Sequence, residues 1–147
     1  MAKLDHCNIR TFDLEATVGF YKDILELTEG DFPGNRKMGA WLYDVSGRAV
    51  LHIIAIDPAA PEVAYTQIRN RLGPLTGPLN PTALKGGGAI DHIAFECDDY
   101  NAMKAKLQSR GLAFTENHVE SINLRQLFAN DPSGITLEMN FRGAAAA

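Results

Sequence analysis

Cysteine is scarce. Cys7 and Cys97 are the only two, each inside a strand-like run, and there is no CxxC pair. A reduced, cytoplasmic chain is therefore a simpler reading than a disulfide-stapled one. Long apolar runs are missing too. None approaches the roughly 20 residues that span a bilayer, and the start, Met1-Ala2-Lys3-Leu4-Asp5, turns polar before a signal segment forms. Basic charge is in deficit, with 14 Lys and Arg against 18 Asp and Glu. That balance leaves no footprint for nucleic acid and no attraction to an anionic membrane surface. Gly86-Gly87-Gly88 is no phosphate loop, because no Gly-Lys-Ser/Thr follows and a strand comes next. It reads as a hinge.

What is present is a repeat. A chain of 147 residues is long enough for one compact domain that buries roughly 70% of its unfolded surface. Within it, Leu4-Asp5-His6-Cys7-Asn8-Ile9 is echoed by Asp91-His92-Ile93-Ala94-Phe95. From His6 to His52 is 46 residues, and from His92 to Glu138 is again 46. Module 1 spans about 3–56 and module 2 about 89–142. The Pro-rich stretch 57–88 links them, with a short helix around Glu62 to Arg71, and is able to cover a site. The poly-Ala end, Gly143 to Ala147, is set aside as a frayed terminus.

Each module reads β-α-β-β-β. In the first, residues 3–10 form a strand, and Asp13 caps a helix with a Leu14, Val18, Tyr21, Ile24 or Leu25 stripe. A weak strand at Leu27 to Phe32, a strand at Ala40 to Val45 and a strand at Ala49 to Ile56 follow. In the second, Ile90 to Cys97 is the opening strand. Asp98-Asp99 cap a helix with a Tyr100, Met103, Leu107 stripe, stopped by Gly111. Strands at Leu112 to Thr115, Ser121 to Ala129 and Ile135 to Phe141 complete it. Asn130-Asp131-Pro132-Ser133-Gly134 makes the last hairpin turn. The fold class expected is α+β: two tandem βαβββ modules forming a cupped mixed sheet.

His6 and His92 occupy matching points of the opening strands, and His52 and Glu138 matching points of the closing strands. Taken singly, a His in a strand is more often structural, and a Glu between Leu137 and Met139 is often an edge residue facing water. The matched interval favours the other reading, one metal held by His6, His52, His92 and Glu138. Three imidazoles and a carboxylate suit Fe, Mn, Ni, Co or Zn, and an octahedral ion keeps two positions open. In a strand, His6, Asn8 and Arg10 share a face. Asn8 is then a substrate-binding candidate, against a hydrogen bond within the sheet. Arg125, between Leu124 and Leu127, is a candidate clamp for a carboxylate or phosphate, against a surface ion pair. Tyr43 is a third substrate candidate, against core packing. His118, in Glu116-Asn117-His118, reads as a solvated loop residue.

These residues resemble the vicinal oxygen chelate superfamily, which includes glyoxalase I, methylmalonyl-CoA epimerase, fosfomycin-resistance thioltransferases and extradiol dioxygenases. The likeness rests on Leu4-Asp5-His6, Phe20-Tyr21-Lys22-Asp23-Ile24-Leu25, Asp91-His92-Ile93-Ala94-Phe95, and Asp131-Pro132-Ser133-Gly134 followed by Leu137-Glu138. It covers nearly the whole chain apart from 57–88. It implies a glyoxalase-like fold, a small-molecule substrate, one divalent metal that chelates vicinal substrate oxygens, and a homodimer. A metal-dependent lyase or isomerase is the leading expectation, with Glu138 or His52 as the catalytic acid/base. An Fe(II) ring-cleaving dioxygenase using only His6, His92 and Glu138 is the alternative. A non-catalytic binding or resistance protein is the third.

Overall fold

The computed structural model describes residues 1–76 and 84–143. Pro78 and Pro81 of the linker, and the tail from 144, lie outside the described residues. The chain divides into two compact units, Met1–Leu84 and Lys85–Ala147.

In unit 1, β1 (Cys7–Thr11) is followed by α1 (Leu14–Ile24), β2 (Thr28–Glu29), β3 (Gly39–Tyr43) and β4 (Ala49–Ala55). The sheet order is β1-β4-β3-β2. β1 runs parallel to β4 and the other pairs are antiparallel. Asp13 caps α1 as its charge and short side chain favour, accepting from the Ala16 N–H. The helix buries Leu14, Thr17, Val18, Tyr21 and Ile24, the expected stripe with Thr17 added. Thr17 is tolerated because its hydroxyl meets that of Thr11 at 2.8 Å. Leu42, Leu51, Ala40 and Ile53 are buried on the sheet. The Leu and Ile side chains among them each stabilise by roughly 1.5–3 kcal/mol on leaving water. Gly39 is required by close approach: a Cβ there would stand 2.2 Å from the Ile53 carbonyl oxygen.

Unit 1 also takes in much of the stretch expected to be a linker. α2 (Pro61–Leu72) buries Ala64, Tyr65 and Ile68 against Ile56, with Phe12, Ile54 and Leu84 packed around them. Ile54 follows His52 by two residues and so shares its face. α2 thus packs on the face of the sheet that carries His52.

Unit 2 repeats the plan: β5 (Ile93–Glu96), α3 (Tyr100–Ser109), β6 (Phe114–Val119), β7 (Leu124–Asn130) and β8 (Thr136–Arg142), in sheet order β5-β8-β7-β6. Asp99 caps α3 through the Ala102 N–H, and Gly111 stops the chain with φ of 64°. Asp131 builds the last turn, its Oδ1 accepting from the Ser133 and Ile135 N–H groups. The repeat holds at the level of register: Asn8 pairs His52 and Trp41 pairs His52 in unit 1, as Ala94 pairs Glu138 and Phe128 pairs Glu138 in unit 2.

Two boundaries differ from the expectation for physical reasons. The opening strands start late, at Cys7 and Ile93. Each is an edge strand with one neighbour, and the Asp-His dipeptide precedes the first paired residue. The strand expected at Leu112 to Thr115 runs instead over Phe114–Val119, and β7 begins only after a turn at Asn123, a left-handed residue with φ of 48°. His118 is therefore a strand residue, exposed and opposite Arg125.

Candidate metal centre

The fold sets the candidate ligands in two pairs, one in each unit. Among the described residues, no three His, Cys, Asp or Glu side chains gather as a ready-made cage.

In unit 2, parallel pairing of β5 with β8 puts His92 and Glu138 on one face. His92 Nε2 lies 3.0 Å from Glu138 Oε2, and its Nδ1 lies 2.7 Å from Asp91 Oδ2. Each ring nitrogen thus faces a carboxylate; with a cation in place of the Nε2 contact, Asp91 would keep the proton on Nδ1 and leave Nε2 as a ligand, the arrangement in which a carboxylate orients a metal-binding imidazole. The hydrogen bond to Asp91 raises the His92 pKa above its ordinary value, the Glu138 charge adds to this, and desolvation opposes it.

Glu138 is buried, and its other oxygen is occupied. Gln126 Nε2 donates to Glu138 Oε1 at 2.7 Å and to Asn140 Oδ1 at 3.0 Å, while Asn117 Nδ2 donates to Gln126 Oε1 at 2.7 Å. Register explains the row: Asn117 lies opposite Gln126, and Gln126 opposite Asn140.

In unit 1, His6 Nδ1 lies 2.6 Å from Asp5 Oδ2, the same dipeptide contact. That hydrogen bond lowers the Asp5 pKa, helped by the positive field of His6 and Arg48. The His52 ring is sandwiched, 3.7 Å from the His6 centroid and 4.1 Å from that of Trp41, nearly parallel to both. Phe32 meets Trp41 edge-on. Burial lowers the His52 pKa, and the neighbouring His6 lowers it further.

The remaining candidates separate. Asn8 is exposed on β1 in register with His52. Tyr43 packs over Gly30, where a Cβ would meet its ring at 2.8 Å, and its hydroxyl donates to the Asp31 carbonyl. Arg125 lies over the Tyr100 ring of α3, 5.2 Å from its centroid. Strand alternation places Arg125 on the helix-covered face, opposite the face that carries Gln126 and Glu138. The sequence reading passed over Trp41 and Gln126. Gln126 could have been found by counting outward from the turn at Asp131–Gly134; Trp41 could not, because a register shift between Leu42 and Tyr43 breaks the count between it and the turn at Ser46-Gly47.

The two shifts give a testable contrast in the metal-free protein. His92 is expected to hold its proton above the usual histidine value of about 6.5, and His52 to lose its proton below it. Raised, His92 contributes stability present below about 6.5 and lost as pH rises through its folded pKa. Lowered, His52 contributes stability present above about 6.5 and lost as pH falls through its folded pKa. Imidazole NMR shifts followed from pH 5 to 8 read both; coincident titrations would contradict the geometry.

The donor set fits a divalent cation. Ligands at adjacent corners of an octahedron, each about 2.1 Å from the ion, lie about 3 Å apart, which is the His92–Glu138 spacing. In unit 1, ligation by both His6 and His52 would need one ring to turn from the stacked arrangement. A metal lies in the plane of its imidazole ligand, so two nearly parallel stacked rings do not aim at one point. His6, ahead of the paired strand, is the freer ring.

Comparison with known proteins bears on the family and the fold. The model of the Glyoxalase/Bleomycin resistance protein/Dioxygenase superfamily matches residues 3–139. "Glyoxylase I 4" of Arabidopsis thaliana is 23% identical over 143 residues, covering 95% of this chain and 70% of that protein. The chain superposes on a lactoylglutathione lyase from Agrobacterium tumefaciens with TM-score 0.62 at 19% identity, over 96% of this chain and 94% of that one. It superposes on the fosfomycin resistance protein FosX of Listeria monocytogenes with TM-score 0.64 at 14% identity, over 98% and 96%. A glyoxalase/dioxygenase from Nostoc punctiforme gives TM-score 0.67 at 20% identity, over 96% and 91%. At these identities the solved structures speak to fold alone.

Proposed function

This chain belongs to the Glyoxalase/Bleomycin resistance protein/Dioxygenase superfamily, and from that premise we propose that it is a metal-dependent lyase or isomerase acting on a small oxygenated molecule. His6, His52, His92 and Glu138 together hold one divalent cation, within one chain or with halves from two chains of a homodimer. The observation that carries this reading is the His92–Glu138 pair, 3.0 Å apart with Asp91 behind the imidazole. A bound cation supplies Lewis acidity toward two adjacent substrate oxygens. Glu138 Oε2 is placed to accept or return a proton at the substrate carbon, and His52, its proton affinity lowered by burial, is the other base. Asn8, exposed beside His52, contacts the substrate. Tyr43 and Arg125 are left out, because their polar ends are engaged elsewhere in their units. The chain acts in the cytoplasm, in keeping with Cys7 and Cys97 forming no disulfide.

One observation favours a second reading. His52 is clamped between two rings, so a three-ligand iron site of His6, His92 and Glu138, with His52 as a nearby acid/base, suits an extradiol dioxygenase. The metal content of protein purified without chelator, beside His52→Ala, separates the two. Nickel, cobalt, zinc or manganese that falls away in the variant is the expected result. Screening then starts with hemithioacetals, epimerisable thioesters and epoxides. Near-stoichiometric iron that survives the substitution would overturn the lyase reading and favour catechols with oxygen uptake. A metal-free protein that binds a small ligand would make it a binding protein.

A further inference from the structure

We propose that Gln126 is a positioning residue that fixes Glu138 as a one-oxygen ligand, with Oε2 as its working oxygen. This rests on the metal reading above, and it concerns unit 2 alone.

Glu138 has two carboxylate oxygens, and the structure treats them differently. Oε2 faces His92 Nε2 at 3.0 Å. Oε1 accepts the Gln126 amide at 2.7 Å. A cation approaching Oε1 would meet the positive end of an N–H dipole, so two-oxygen binding is opposed. A proton taken up by Glu138 likewise goes to Oε2, since Oε1 already accepts one.

Three contacts agree on the direction of the Gln126 amide. Its oxygen accepts from Asn117 Nδ2. Its nitrogen serves two acceptors, Glu138 Oε1 and Asn140 Oδ1. Turned over, the amide would set oxygen against both acceptors and nitrogen against a donor. The polarity is thus set by the Glu138 carboxylate on β8, which only accepts, and is passed through β7 to Asn117 on β6.

Burial makes the arrangement costly to hold in any other state. Gln126, Glu138 and Asn140 are 8%, 9% and 6% exposed. Buried polar groups must be fully paired or they destabilise, and an apolar side chain at 126 would fill the space without that demand. The amide is explained by what it holds. Sequence reasoning had no partner for Gln126; the hairpin register supplies one.

The test uses Co(II) as a probe on the intact protein, with affinity from calorimetry and coordination number from the visible absorption of the bound ion. Gln126→Leu removes the donor, and Asn117→Ala, at an exposed residue, removes only the hydrogen bond that steadies the Gln126 amide from β6. Loss of a group orienting a ligand typically weakens metal binding roughly 10- to 100-fold. That range is expected for Gln126→Leu, with a smaller loss for Asn117→Ala and a visible spectrum shifted toward higher coordination in both. A merely structural role would lower thermal stability and leave the Co(II) affinity and spectrum of the folded protein unchanged. Unchanged affinity and spectrum in both variants overturns the proposal while the metal reading stands. If Gln126→Leu does not fold, the Asn117→Ala result decides alone. Wild-type protein that takes up no Co(II) overturns both.

Discussion

Glu138→Ala is expected to weaken divalent metal binding by roughly a thousandfold. Four-ligand protein sites bind zinc with about 10–16 kcal/mol in all, so an average ligand carries about 2.5–4 kcal/mol, and the upper end is about a thousandfold. Glu138 is the one anionic ligand of the set, and its Oε2 stands 3.0 Å from His92 Nε2. Its removal strips both charge and a donor atom. The fold should survive, because Gln126 keeps Asn140 as an acceptor and Asn117 as a donor. His92→Ala should act similarly. Asp91→Asn should cost less, roughly 10- to 100-fold, since it only orients His92. Calorimetric titration with Co(II) measures all three, and turnover should fall in parallel. A Glu138→Ala protein that binds within a few-fold of wild type would remove Glu138 from the ligand set.

Leu107→Ala should cost about 2–5 kcal/mol of stability at a position away from the site. Leu107 is the sole buried residue of α3 and is fully inside. Tyr100, at the other end of the helix, meets Phe141 edge-on and lies under Arg125. These contacts reach the helix-covered face of the unit 2 sheet, where Leu127, Leu137, Met139 and Phe141 are buried. A cavity at 107 removes the one fully buried anchor of the helix. Urea unfolding reads the effect: at about 1–3 kcal/mol per molar of urea, the midpoint should fall by roughly 1–3 M. Co(II) affinity of the folded variant should be unchanged, because Glu138 lies on the other face. A loss under about 1 kcal/mol would mean that Leu107 is not the anchor.

The legible part of this chain was the part with local rules. Asp13 and Asp99 announce helices because a short carboxylate satisfies free N–H groups of the first turn. Asp131 to Gly134 announces a hairpin because aspartate closes its own turn and glycine accepts a positive φ of 80°. The equal spacing of His6 to His52 and His92 to Glu138 showed the repeat, and register reproduces it. Less legible were features set across strands. Glu116-Asn117-His118 is polar throughout, so alternation failed to reveal a strand whose partner is β7 alone. Arg125 looked like a clamp beside apolar neighbours, yet its parity sends it toward α3. Trp41 against His52, and Gln126 against Glu138, are products of pairing between strands. α2 was legible as a helix, but its packing against Ile56 and Phe12 was not, since its apolar residues are few.

The most direct test of the central claim uses Trp41, the single tryptophan of the chain, which lies 4.1 Å from the His52 ring in unit 1. Its fluorescence is recorded during Co(II) titration of the wild type and of Glu138→Ala, a change in unit 2. If His6, His52, His92 and Glu138 serve one ion, the wild type shows a saturable change ending at one equivalent, and Glu138→Ala shows none over the same concentrations. A response at Trp41 that is unaltered by Glu138→Ala would mean that the histidine pair binds metal on its own, and would contradict a shared centre.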